Sequence, residues 1–117
     1  MVNDLTVPEV EIDLSGETFV LKPTLGAAIG INAAFGGIFP AGQRAMSGDI
    51  AAIAVIIRHG AGLEQKAERE LVEKVFRAGV PEVSARAMRF IGILMNGGKA
   101  EKEAAPGEAG PSGPAQS

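Results

Sequence analysis

The chain has no cysteine, no tryptophan, no tyrosine and a single histidine. Without cysteine there are no disulfides, no thiolate metal sites and no thiol nucleophile, and the composition suits a reducing cytoplasm. With His59 alone, a histidine-based metal cluster is excluded, and a Ser-His-acid triad would have to be built on that one ring. The five phenylalanines are not interleaved with Arg or Lys, so they form no stacking platform for bases. Basic charge is scarce as well. Residues 1–23 carry five acids against Lys22, residues 24–98 have a net charge of +2, and residues 99–117 have −1. No segment can neutralise a phosphate backbone, so nucleic acid is not an expected partner.

Long apolar runs are missing too. The stretch Leu25 to Gly42 approaches bilayer-spanning length, but it contains Asn32, Pro40 and the glycines 26, 30, 36, 37 and 42, and it reads as a buried segment rather than a membrane span. The start, Met1-Val2-Asn3-Asp4, has neither the basic residues nor the apolar core of a secretory signal. The expectation is a soluble cytoplasmic protein with no membrane partner. At 117 residues the chain suffices for one core of modest size.

What is present is organised around Val10 to Gly26. Val10, Ile12 and Leu14 alternate with Glu9, Glu11 and Asp13, and Phe19 and Leu21 alternate with Thr18, Val20 and Lys22. This period of two, broken at Ser15-Gly16, predicts a β-hairpin with one dry and one acidic wet face. A lone hairpin is marginal in water, so the dry face must meet helices or a second copy of itself. Thr24 is placed to cap a helix over about 25–35, with Leu25, Ala28, Ile29, Asn32 and Phe35 on one face. Gly26 and Gly30 weaken that helix unless they admit another backbone. Ile38 to Gly48 reads as a short helical turn begun by Pro40. Asp49 then caps a helix from Ile50 to about His59 that is apolar nearly all round, which marks it as the centre of the core or as a core face completed by a partner. Gly60 or Gly62 stops it.

A helix over about 64–78 places Ala67, Leu71, Val72, Val75 and Phe76 on one face, with Glu70–Lys74 and Glu73–Arg77 as favourable i,i+4 pairs. Pro81 opens a last helix to about Met95 that buries Val83, Ala87, Phe90, Ile91 and Leu94. The expected architecture is α+β: residues 1–8 frayed, residues 9–96 one domain of an N-terminal hairpin and a bundle of about four helices, and residues 97–117 a disordered tail without large apolar residues. Gly107, Gly110 and Gly113 repeat at a period of three, too few times for a triple helix.

No catalytic, cofactor or metal site emerges. Gly37 to Gly42 has phosphate-loop spacing, but Gln43-Arg44 stand where Lys and Ser or Thr are needed. His59 suits a helix C-terminal position. The carboxylates lie on solvated faces, where nothing raises their pKa. The better signal is apolar surface, since 46% of so small a chain is hydrophobic and a residual patch would bind a partner or close a homo-oligomer. The candidate partner-binding residues are Ile50, Ile53, Ile56 and Ile57 of the apolar helix, with Asn32 and Phe35 of the first helix.

Gly16 to Ala27, G-E-T-F-V-L-K-P-T-L-G-A, followed by Ser47-Gly48-Asp49 and His59-Gly60-Ala61-Gly62, resembles the gene transfer agent family of small phage tail proteins. The resemblance covers about residues 9–95, and its motifs contain no catalytic residue. Relatives tend to carry an acid where this chain has Asn32. The resemblance implies a non-enzymatic role in tail morphogenesis, as an assembly chaperone for tape-measure and tail tube proteins or as a structural tail tube component. The chaperone reading is preferred because two strands are too few to build a tube ring. A small helical regulatory or nucleic-acid-binding module is the distant alternative.

Overall fold

The computed structural model describes residues 8–99. The expected frayed start and disordered tail fall mostly outside the described residues. The architecture is α+β: a two-stranded antiparallel hairpin, β1 (Val10–Leu14) and β2 (Glu17–Leu21), is followed by five helices.

Strand pairing runs from Val10 opposite Leu21 to Leu14 opposite Glu17, leaving Ser15-Gly16 as a two-residue loop. Both loop residues have positive φ, 56° and 92°, which gives the turn the right-handed twist of the flanking strands. The Asp13 carboxylate accepts from the Gly16 N–H at 3.0 Å. This register puts Val10, Ile12, Leu14 and Leu21 in the core while Glu9, Glu11, Asp13 and Lys22 stay exposed. The dry face packs on helices of the same chain.

Helix α1 (Leu25–Phe35) begins where the Thr24 hydroxyl accepts from the Ala27 N–H, and it ends at Gly36 in the left-handed region. The Ile38–Gly48 segment is more than a turn: α2 spans Ile38–Met46. Pro40 sits in its first turn, where its missing N–H has no intrahelical partner to lose. Helix α3 (Ile50–Ala61) is capped by Asp49, whose carboxylate accepts from Ala52, and it stops at Gly62, not at Gly60. Gly60 is interior to the helix. A Cβ there would lie 3.0 Å from both Leu21 Cβ and Phe90 Cε2, and its carbonyl accepts from the Lys22 N–H at 2.9 Å. This glycine is the price of close contact between α3 and the end of the hairpin.

A 3₁₀ turn at Gln65–Ala67 leads into α4 (Glu68–Ala78), and α5 (Val80–Met95) follows, with Gly79 between them at φ 105°. Ser84 Oγ donates to the Ala45 carbonyl at 2.6 Å, tying α5 to α2. Gly97 and Gly98, expected to open the tail, instead finish α5: their N–H groups reach the carbonyls of Leu94 and Ile93, as helix C-capping requires.

The core is built from Ile53, Ile56 and Ile57 of α3 and from Val83, Ala87, Phe90, Ile91, Ile93 and Leu94 of α5, closed by the hairpin and by Leu71 and Val75 of α4. Among the described residues no polar or charged side chain is buried. Two sequence-derived faces are corrected. Phe76 is 65% exposed while Leu71 and Val75 turn inward. On α1 the buried residues are Ala27 and Ile31; Leu25, Ile29 and Asn32 face outward.

Candidate functional site

The correction on α1 locates the site. Leu25 is 76% and Ile29 59% exposed, one turn apart on the outer ridge of α1, with Gly26, Asn32 and Ala33 exposed beside them. On α2, Phe39 and Met46 are 62% and 66% exposed, seven residues apart and therefore on one ridge. The two helices meet through Gly36-Gly37 and pack against each other at a 73° bend. No residue between Lys22 and Arg44 carries a charge, so the outer surface of α1 and of the first turns of α2 is apolar or neutral throughout. The nearest charge, Arg44, is engaged: its Nε donates to Asp49 Oδ2 at 2.7 Å and its guanidinium lies 5.7 Å from the Phe35 ring centroid.

Of the residues expected to bind a partner, Asn32 is exposed and Phe35 is half-buried beneath Arg44. Ile50 is half-buried at the start of α3. Ile53, Ile56 and Ile57 are fully buried and do not form a surface. The reason is that α3 is covered by α1, α2, α4, α5 and β2 together; an all-apolar helix is covered, and here its own chain does the covering. Leu25 and Ile29 share the sequence-derived face of α1 with the candidates Asn32 and Phe35 without being candidates themselves, and Phe39 and Met46 carry no assignment. The sequence does carry a signal for them. Helix α1 is apolar on both sides, so burying Ala27 and Ile31 leaves a second apolar stripe outside.

His59 holds α1 on α3. A Cβ at Gly30 would overlap its imidazole, so Gly30 is where the ring rests on the α1 backbone. Arg58 Nη2 is 2.9 Å from His59 Nε2. A guanidinium can only donate, so Nε2 accepts and the neutral ring carries its proton on Nδ1. Arg58 Nε in turn donates to Glu68 Oε2 at 2.5 Å. Burial disfavours the imidazolium and Arg58 repels it, against a weaker pull from Glu68, so the pKa lies below its ordinary 6.5.

The unfolded chain therefore takes up a proton below pH 6.5 that the folded chain resists, and stability falls from there until the lower folded pKa is passed. Asp49, held below its usual 3.8 by the Ala52 N–H and by Arg44, withdraws its own contribution only below that value. The urea midpoint is expected to drop between pH 7.5 and pH 5, and His59→Gln to remove His59's share of that drop. An equal drop in both proteins would mean that the ring is not what titrates.

The remaining charged clusters are satisfied within the fold. A cleft of about 160 Å³ is lined by Glu11, Asp13, Thr18, Glu82 and Arg86. In it Arg86 donates to the Glu11 carbonyl and lies 3.6 Å from Glu82. By the hairpin turn, Lys74 pairs with Glu17 at 3.0 Å and with Glu70 at 3.6 Å, and the hydrogen bond to Glu17 is the main cause of its raised pKa. Among the described residues no three His, Asp or Glu side chains are grouped to hold a metal. No single described helix is long and apolar enough to cross a membrane. Compared with protein-family models, curated proteins and solved structures, the chain matches none.

Proposed function

We propose that this protein is a non-enzymatic, cytoplasmic tail assembly chaperone of a phage-like particle, which uses the outer surface of α1 and α2 to hold apolar helical segments of tape-measure and tail tube proteins until they assemble. The particle assignment comes from the sequence resemblance at Gly16–Ala27, Ser47–Asp49 and His59–Gly62. The observation that carries the binding role is the exposure of Leu25 and Ile29 on α1 and of Phe39 and Met46 on α2, with no charged residue between Lys22 and Arg44. Such a surface takes the apolar face of an amphipathic helix, with the large side chains as anchors.

The test is co-purification with a tape-measure protein of a phage-like particle. Leu25→Glu and Ile29→Glu are expected to weaken capture at least about tenfold, the scale of losing a well-packed anchor, while helix content is kept because both positions are exposed. Stoichiometric protein in purified, assembled particles would sink the chaperone reading in favour of a structural tail component. Unchanged capture by both variants would remove α1 from the binding surface.

A further inference from the structure

We propose that His59 is a proton-operated latch on α1. While the imidazole is neutral it seats on Gly30 and holds α1 against α3; when it takes up a proton the seat opens, and α1 swings out as a local unit with the rest of the fold still closed. The latch depends on the packing around one ring, whatever the outer surface of α1 binds.

Helix α1 is lightly held. Of its eleven residues only Ala27 and Ile31 are buried, and Ala28, Gly30 and Phe35 are half-buried. It packs on α2 and α3, and the Arg44 guanidinium lies 5.7 Å from the Phe35 ring centroid. Gly36 and Gly37, with φ of 75° and 143°, break the backbone at its far end and supply a hinge. An element with so few buried apolar contacts opens at a cost well below that of unfolding the whole domain.

The His59 ring reaches this helix from α3. A Cβ at Gly30 would overlap its Nδ1 and Cε1 atoms, so the ring lies directly on the α1 backbone. The neutral ring fits there. Arg58 donates to its Nε2, and Arg58 is itself fixed by Glu68 and by the Leu63 carbonyl. An imidazolium does not fit, because it has a donor on each nitrogen and Nε2–H would point at the Arg58 donor. The charged groups facing the ring are Arg58 on its own helix and Glu68 on α4; burial and Arg58 oppose the charged ring, and Glu68 favours it less strongly. From α1 comes no counter-charge, since Pro23 to Gln43 contains no charged residue. On that side a charged ring needs water and meets the Gly30 Cα. The half-buried ring reaches water by leaving its seat, which takes away its contact between the two helices.

The test is hydrogen exchange of the full chain at pH 7.5 and pH 5, corrected for the intrinsic rate at each pH, with and without low urea. At pH 5 the α1 amides are expected to exchange faster than those of α5 and almost independently of urea, as an opening that exposes little surface requires. Going from pH 7.5 to pH 5 should cut α1 protection by at least about threefold and at most about 30-fold, the latter being full proton uptake by a ring of ordinary pKa 6.5. His59→Gln should abolish that fall. Gly30→Ala, which crowds the ring off its seat, should leave α1 weakly protected at both pH values even though alanine favours helix. Circular dichroism checks that each variant folds, and either one suffices with the wild type. Equal protection and equal urea dependence for α1 and α5 would mean that α1 opens only with the whole fold, and overturns the proposal. So does a fall in α1 protection that persists in His59→Gln, or wild-type protection of α1 in Gly30→Ala at both pH values.

Discussion

Ile57→Asp is expected to unfold the chain, whereas Leu25→Asp leaves it folded. Ile57 has no exposed surface and sits where α3 meets the rest of the core. Removing its side chain forfeits about 2–5 kcal/mol. An unpaired carboxylate in that place costs several more, and among the described residues no buried polar side chain is available to receive it. The total stability of a domain of this size is about 5–14 kcal/mol at ~0.05–0.15 kcal/mol per residue, so the loss consumes most or all of it. The same substitution at Leu25, 76% exposed, should shift stability by no more than about 0.5 kcal/mol. Far-UV circular dichroism with a urea titration of both variants decides the matter. A folded Ile57→Asp with a normal midpoint would mean that α3 is not central, and would restore the isoleucines as a binding face.

Phe90→Ala is expected to cost about 3–5 kcal/mol, the range for emptying a buried aromatic site. For a domain this small that lowers the melting temperature by roughly 12 °C or more. Phe90 has no exposed surface, and its ring edge lies where Gly60 passes beneath Leu21, so the cavity would open between α3, α5 and the hairpin. Few neighbours can relax into it without breaking the Lys22 N–H to Gly60 carbonyl bond. The matched control is Phe76→Ala on α4, at a 65% exposed position, with an expected change within about 0.5 kcal/mol. Equal losses at the two phenylalanines would contradict the orientation of α4.

The two phenylalanines show where periodicity suffices and where it does not. On α5, five apolar positions at helical spacing share one face, and Val83, Ala87, Phe90, Ile91 and Leu94 are all buried. On α4, Leu71, Val72, Val75 and Phe76 span more than the buried stripe, and spacing alone does not say which edge turns out. On α1 the ambiguity is complete. Leu25, Ile29 and Asn32 make as good a helical face as Ala27 and Ile31, and larger side chains argue for the wrong one. The structure buries the Ala27–Ile31 face, and Gly30 lies close against the His59 ring. Ile53, Ile56 and Ile57 are no surface for a different reason: they form the most apolar run in the chain, and apolarity is greatest where the fold itself covers the chain.

The sequence alone determined the elements whose causes are local. The hairpin follows from alternation and from the Ser15-Gly16 turn, the starts of α1 and α3 from the Thr24 and Asp49 side chains, and the breaks from glycines with positive φ. Each depends on forces acting within a few residues. Tertiary structure alone decided which side of α1 faces water, that Gly60 lies inside a helix instead of ending it, that Gly97 and Gly98 close α5, and that α3 is enclosed by its own chain. Those outcomes depend on which surfaces compete for the same neighbours, and burial is a property of the assembled core rather than of any one segment.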